Sequence, residues 1–153
     1  MQQFEASITW RRAAQPFTDN RYSRAHEWQF DGGLCVPASS SPLSVPLPMS
    51  DAAAVDPEEA LVAAVSSCHM LFFLSIAAQR SFVVDHYIDH AVGTLDSNSD
   101  GKMAMTRIAL RPQIAFAGPP PSAEALAAIH HAAHDKCYIA NSIRADVVVE
   151  EAR

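Results

Sequence analysis

Glycine is scarce here, five in 153 residues, and no long polar tract occurs; with 49% hydrophobic and 18% charged residues, a fibrous or disordered chain is excluded. A compact globular protein with a single domain over residues 1–153 is expected, burying roughly 70% of the surface its unfolded chain would expose. Cations are in deficit. Eleven basic residues against 17 acidic ones give a net charge of −6 and a pI near 5.5, so there is no positive excess to neutralise phosphates and no nucleic-acid partner is expected. Cysteines number three, an odd count too small for a disulfide framework, so at least one thiol is free or only transiently paired. The opening MQQFEASITWRR lacks the basic start and apolar run of a signal peptide. A reducing cytoplasm fits these features.

What is present alternates. Phe4, Ala6, Ile8 and Trp10 are interleaved with Glu5, Ser7, Thr9 and Arg11, the period-2 pattern of a strand with one buried face. A turn near Asp19-Asn20 leads to a returning strand from Ala25 to Phe30. From Leu34 to Val55 the chain carries Pro37, Pro42, Pro46, Pro48 and the run Ser39-Ser40-Ser41. A connection this long without secondary structure suits a lid, a binding loop or a subunit contact.

Asp56-Pro57-Glu58-Glu59 then places a capping side chain, an N1 proline and an acid at N3, which together start a helix. That helix should run to about Arg80 and is apolar on nearly every face, so it must be covered all round. Ser66, Ser67, Cys68, His69 and Ser75 interrupt it and no aromatic belt flanks it; it reads as a core helix rather than a membrane span. Two extended segments, 82–95 and 102–117, flank Asp100-Gly101, a hairpin signal. Ser122 caps a second helix over Ala123 to Lys136, and Ser142 to Glu150 forms the last strand. The order β-β-α-β-β-α-β means α+β with mostly antiparallel sheet. One sheet cannot cover a helix that is apolar all round, so an intertwined homodimer is expected, with central helices packed together and sheets wrapped around them.

Two of the thiols stand at informative places. Cys68 falls mid-helix and Cys137 at the end of the second helix, although a buried cysteine is by habit a small inert hydrophobe. The segment DPEEALVAAVSSCH, residues 56–69, resembles the helix of the OsmC and organic hydroperoxide resistance (Ohr) family. Its members carry an Asn-Pro-Glu start and a peroxidatic cysteine about ten residues after the glutamate; here these are Glu58 and Cys68. AHDKCYIANS, residues 133–142, matches the stretch that holds the family's resolving cysteine, and so Cys137. RYSRAH, residues 21–26, matches its arginine between the first two strands, aligned on Arg21 with Arg24 as the rival. The resemblance covers essentially the whole chain. It departs at Asp56 for Asn, Tyr138 for the proline after the second cysteine, Ser66-Ser67 for small apolar residues, and His69 after the nucleophile.

The resemblance implies a thiol-dependent peroxidase that reduces organic hydroperoxides to alcohols, with no cofactor but an external dithiol or lipoyl-type reductant. Cys68 would become a sulfenic acid and condense with Cys137 to a disulfide. Such chemistry needs a thiolate, and a thiol of pKa about 8.5 is mostly protonated at neutral pH. A guanidinium, Arg21, would favour the anion, and Glu58 would orient it by a bidentate pair. Ten residues of helix place Glu58 and Cys68 about 15 Å apart along the axis, so a shared site suggests antiparallel helices from two subunits. Met70, Phe72, Phe73 and the proline-rich loop would suit an organic rather than an inorganic peroxide. Cys35 lies outside the matched positions. His130 and His134, spaced i, i+4, read as a solvated helix face in the absence of a third metal ligand. Met103 and Met105 read as core, and Glu150-Glu151 as a solvated terminus.

Overall fold

A computed structural model describes residues 1–150. The helix start is built as its residues dictate. Asp56 Oδ1 accepts the Glu59 N–H at 2.8 Å and Glu59 Oε1 accepts the Asp56 N–H at 2.9 Å, a reciprocal capping box that satisfies two otherwise orphaned donors. From it α1 runs Pro57–Gln79. Its end is equally defined: Ser81 sits at φ 64°, the Phe82 N–H reaches the Ala77 carbonyl at 2.9 Å and the Ser81 N–H reaches Ala78 at 3.0 Å. This is a Schellman closure with serine where glycine is usual.

The chain divides into two compact units, Met1–Ala60 and Leu61–Arg153. In the first, β1 (Ala6–Thr9), β2 (His26–Phe30) and β3 (Cys35–Ala38) form an antiparallel sheet in that order. β3 falls inside the segment expected to be irregular. Its Pro37 is tolerated because β3 is an edge strand, where a missing N–H breaks no inner ladder. The rest of that segment is held by backbone bonds between Val55 and both Pro37 and Ser39, and by buried Ser39, whose Oγ accepts the Asp51 N–H at 3.0 Å. The alternating face of β1 is not buried: Phe4, Ile8 and, less so, Trp10 stay exposed.

In the second unit each expected extended segment is two strands, β4 (Val83–Asp89) with β5 (Val92–Ser97), and β6 (Met103–Leu110) with β7 (Pro112–Ala117). β5 and β6 form the hairpin, closed by Asn98, whose side-chain oxygen accepts the N–H groups of Asp100 and Lys102, with Gly101 at φ 72°. β4 and β7 pair antiparallel beyond it. The last residue of β4, Asp89, accepts the Arg111 N–H at 2.6 Å and the Ser66 hydroxyl of α1. Ser122 caps α2 (Ala123–Lys136), a short 3₁₀ turn covers Ala140–Ser142, and β8 (Asp146–Val149) pairs parallel with β6. The α+β class and the mostly antiparallel sheet stand, with eight strands rather than five among the described residues.

Two apolar clusters hold this unit. Toward its C-terminal end α1 gives Phe73, Ile76 and Ala77 to a core shared with Ile129 and Ala133 of α2 and with β4 and β7. Nearer its N-terminal end Val65 packs on Ile108 and Leu110 of β6. The 23-residue α1 is long and apolar enough to cross a membrane by length and composition alone, yet it is the central element of both clusters. It is not covered all round: Ala63, Ala64, Ser67, Leu71, Ser75 and Ala78 face outward, Leu71 at 61% exposure. Two smaller expectations are corrected. Met103 is exposed because it lies at the hairpin end, while Met105 packs in the core. Glu150 is not loose: it pairs with Arg107 at 3.1 Å and Arg111 at 2.8 Å, which hold its carboxyl below the usual range. Glu151 lies outside the described residues.

Candidate active site

Cys68 occupies the middle of α1, half-buried, one residue after the exposed Ser67 and one before the buried His69. Cys137 caps α2, fully buried, its N–H bonded to the His134 carbonyl. Both thiols are free. Burial is the main cause that pushes the Cys137 thiol up; the Ala140 N–H, 3.4 Å from Cys137 Sγ, opposes it, and the neighbouring Cys68 side chain adds to the rise. Cys68 is thus a near neighbour of Cys137, and burial favours the protonated form of Cys137. Tyr138 stands exposed edge-on to Phe72, ring centroids 5.2 Å apart, on the helix turn after Cys68.

The charged candidates lie in Met1–Ala60. A cavity of about 490 Å³ is lined by Trp10, Tyr22, Arg24, His26, Ser39 and Glu58 among others. Arg24, not Arg21, shares it with Glu58. Its guanidinium lies 3.8 Å from the Tyr22 ring centroid and donates to the Tyr22 carbonyl and to both the carbonyl and the side-chain oxygen of Asn20, the latter at 2.8 Å. Asn20 presents both oxygens because it adopts φ 60°, a left-handed conformation that Asn tolerates. Trp10, Phe17 and Tyr22 pack on one another, and the Trp10 N–H holds the Ser23 carbonyl at 2.8 Å. Arg21 is exposed in the turn, where its N–H bonds Asp19. Among the described residues Arg24 and Glu58 form no ion pair; the pairs present are Arg107–Glu150, Arg111–Glu150 and His131–Asp135.

Sequence reasoning missed a histidine pair. His130 is not on a solvated face: its Nδ1 lies 3.0 Å from His69 Nε2, and its ring packs against Phe73 at 4.6 Å between centroids. His69 is 1% exposed. Burial drives both imidazoles down to about 4, helped at His69 by the neighbouring His130 and His134 and opposed at His130 by Asp89. The signal available was His69 inside an otherwise apolar helix, which needs a polar partner when buried. No group of three metal-ligating side chains occurs among the described residues. Cys35 is exposed on β3.

A mixed α+β protein with two free thiols, one in a long central helix and one at the cap of the next, defines the class. The chain belongs to the OsmC-like family, whose sequence model, described as OsmC-like protein, matches residues 50–152. An OsmC-like protein of unknown function from Vibrio cholerae is 53% identical, superimposes with a TM-score of 0.96, and the match covers 99% of each chain. An organic hydroperoxide resistance protein from Elizabethkingia anophelis is 15% identical, TM-score 0.72, over 99% of this chain and 95% of its own. The organic hydroperoxide resistance protein OhrB of Bacillus subtilis is 17% identical, TM-score 0.62, over 98% and 96%. These two share the fold. No curated protein matches the sequence.

Proposed function

We propose that the chain is a cysteine-based peroxidase that reduces organic hydroperoxides. The observation that carries this reading is the pair of free thiols, Cys68 in the middle of α1 and Cys137 at the cap of α2, near enough for one to influence the other. The family membership and the neighbours named for organic hydroperoxide resistance support it. Cys68 as thiolate attacks the O–O bond, the alcohol departs, and the sulfur becomes a sulfenic acid. The Cys137 thiol then displaces water to give the disulfide. A dithiol of the small-molecule or lipoyl type returns both thiols through a mixed disulfide. Arg24 is the preferred cation, ahead of Arg21, because it shares a cavity with Glu58, the orienting carboxylate. The active assembly is a homodimer, a reading supported by the apolar side chains left open on β1 and α1, and a reducing cytoplasm suits its free thiols.

Dithiol-dependent consumption of cumene hydroperoxide by wild type, Cys68→Ser and Cys137→Ser tests this. Turnover should vanish with Cys68→Ser, and Cys137→Ser should leave a sulfenic acid that a dimedone probe traps. A wild type that consumes no hydroperoxide, or a Cys68→Ser variant as active as wild type, overturns the reading. Arg24→Ala should lose about 10²-fold or more in rate, the usual cost of removing one preorganised donor from the charge that reacts, while Arg21→Ala stays near wild type; steady-state rates of both variants check it.

A further inference from the structure

We propose that His69 and His130 are positioning residues that set the approach of Cys137 to Cys68, and so the strength of the disulfide the two form. The proposal rests on the reading above only in giving those thiols a disulfide to make. Besides the approach of the two thiols, the His69–His130 contact is the side-chain hydrogen bond that joins α1 to α2 among the described residues; the core contacts there are apolar, which resist separation but allow sliding. The two ring planes lie within 12° of each other with centroids 5.3 Å apart, the separation of two rings joined in line through a 3.0 Å bond. Such a bond fixes direction as well as distance.

Both partners sit next to the thiols. His69 follows Cys68 in α1. His130 precedes Cys137 by seven residues, nearly two full turns, so both project from the same side of α2. The His130 ring is seated against both His69 and Phe73, one turn of α1 apart. Any slide of α2 along α1 must break this seat before it moves Cys137. Disulfide geometry tolerates little error in the separation of the two α-carbons, so a slide that the core would accept is one the disulfide would not.

The pair also carries a cost that packing alone does not explain. His69 Nδ1 is buried without a partner, and a lost partner at a buried polar atom costs about 1–3 kcal/mol. Two apolar side chains would avoid that penalty but would supply no directional bond.

The experiment uses the full chain with Cys35→Ser, to remove the exposed third thiol. Wild type, His130→Leu, His130→Asn and His69→Met are equilibrated with glutathione and its disulfide at neutral pH, where one protein disulfide forms per glutathione disulfide reduced to two thiols. The Cys68–Cys137 disulfide is quantified by peptide mass spectrometry, and melting curves identify the folded variants. His130→Leu should lower the equilibrium constant about tenfold, near 30 mV for this two-electron couple, and His69→Met should do the same. His130→Asn, whose amide stands close to the place of Nδ1, should recover most of it. A folded apolar variant with the wild-type constant overturns the proposal, as does a wild type that forms no such disulfide. No hydroperoxide is involved, so a protein inactive toward peroxide that still shows the drop and the rescue sinks the peroxidase reading and leaves this one standing.

Discussion

At the scale of single residues, the two buried imidazoles make stability depend on pH with a definite sign. Their folded values of about 4 lie below the ordinary 6.5, so between these limits the unfolded chain binds protons that the folded chain refuses. Stability is therefore full above pH 6.5 and is lost as pH falls toward 4. Discounted for the partial exposure of His130, the loss is roughly 3 kcal/mol. Denaturation midpoints of wild type should fall over that window, while a His69→Gln/His130→Asn double variant, without titrating groups at these positions, should show a shallower fall. Equal slopes would mean the imidazoles are hydrated and charged. Ser81 allows a second test at this scale. It ends α1 in a left-handed conformation that costs a residue with a Cβ about 1 kcal/mol, so Ser81→Gly should raise stability by about 0.5 kcal/mol after the extra freedom of glycine in the unfolded chain is counted.

At the scale of elements, Gly93 is the point where β5 meets α1. A Cβ there would fall 2.5 Å from the Val62 side chain and 2.3 Å from the end of Met105. Met105 can swing away, but Val62 is stiff at χ1 and anchored in α1. Gly93→Ala should cost about 1–3 kcal/mol, and a urea midpoint unchanged from wild type would show that α1 can lift from the sheet at little cost. Elements whose signals are local were legible in the sequence: the Asp56–Glu59 box, the Ser122 cap and the Asp100-Gly101 hairpin each appear where the residues placed them. Elements that depend on distant partners were not. β3 reads as loop because Pro37 argues against a strand, and only pairing with β2 and with Val55 makes it one. The parallel β6–β8 ladder leaves no mark in period-2 alternation. The two thiols could be picked out from their helices, whereas the His69–His130 bond joins residues 61 apart and is invisible to any local pattern.

At the scale of the whole molecule, the apolar side chains that the single chain leaves open are the argument for a second copy. Phe4, Ile8, Leu43 and Leu71 are each more than half exposed, and a helix as apolar as α1 gains by burying its outward face. Equilibrium sedimentation should therefore give twice the 16.6 kDa chain mass. The dimer carries a sharper consequence, because Glu58 and Cys68 are separated by about 15 Å of helix axis and so do not meet within one α1. If each site takes Cys68 from one subunit and Glu58 from the other, a Cys68→Ser chain and a Glu58→Gln chain, inactive as homodimers, complement each other. The mixed dimer then holds one site with both groups intact and one with neither. Random reassociation of equal amounts makes half the dimers mixed, so about a quarter of wild-type peroxidase activity should return. A mixture that reassociates, as shown by native mass spectrometry of differently tagged chains, yet stays inactive would place both groups of each site in one subunit.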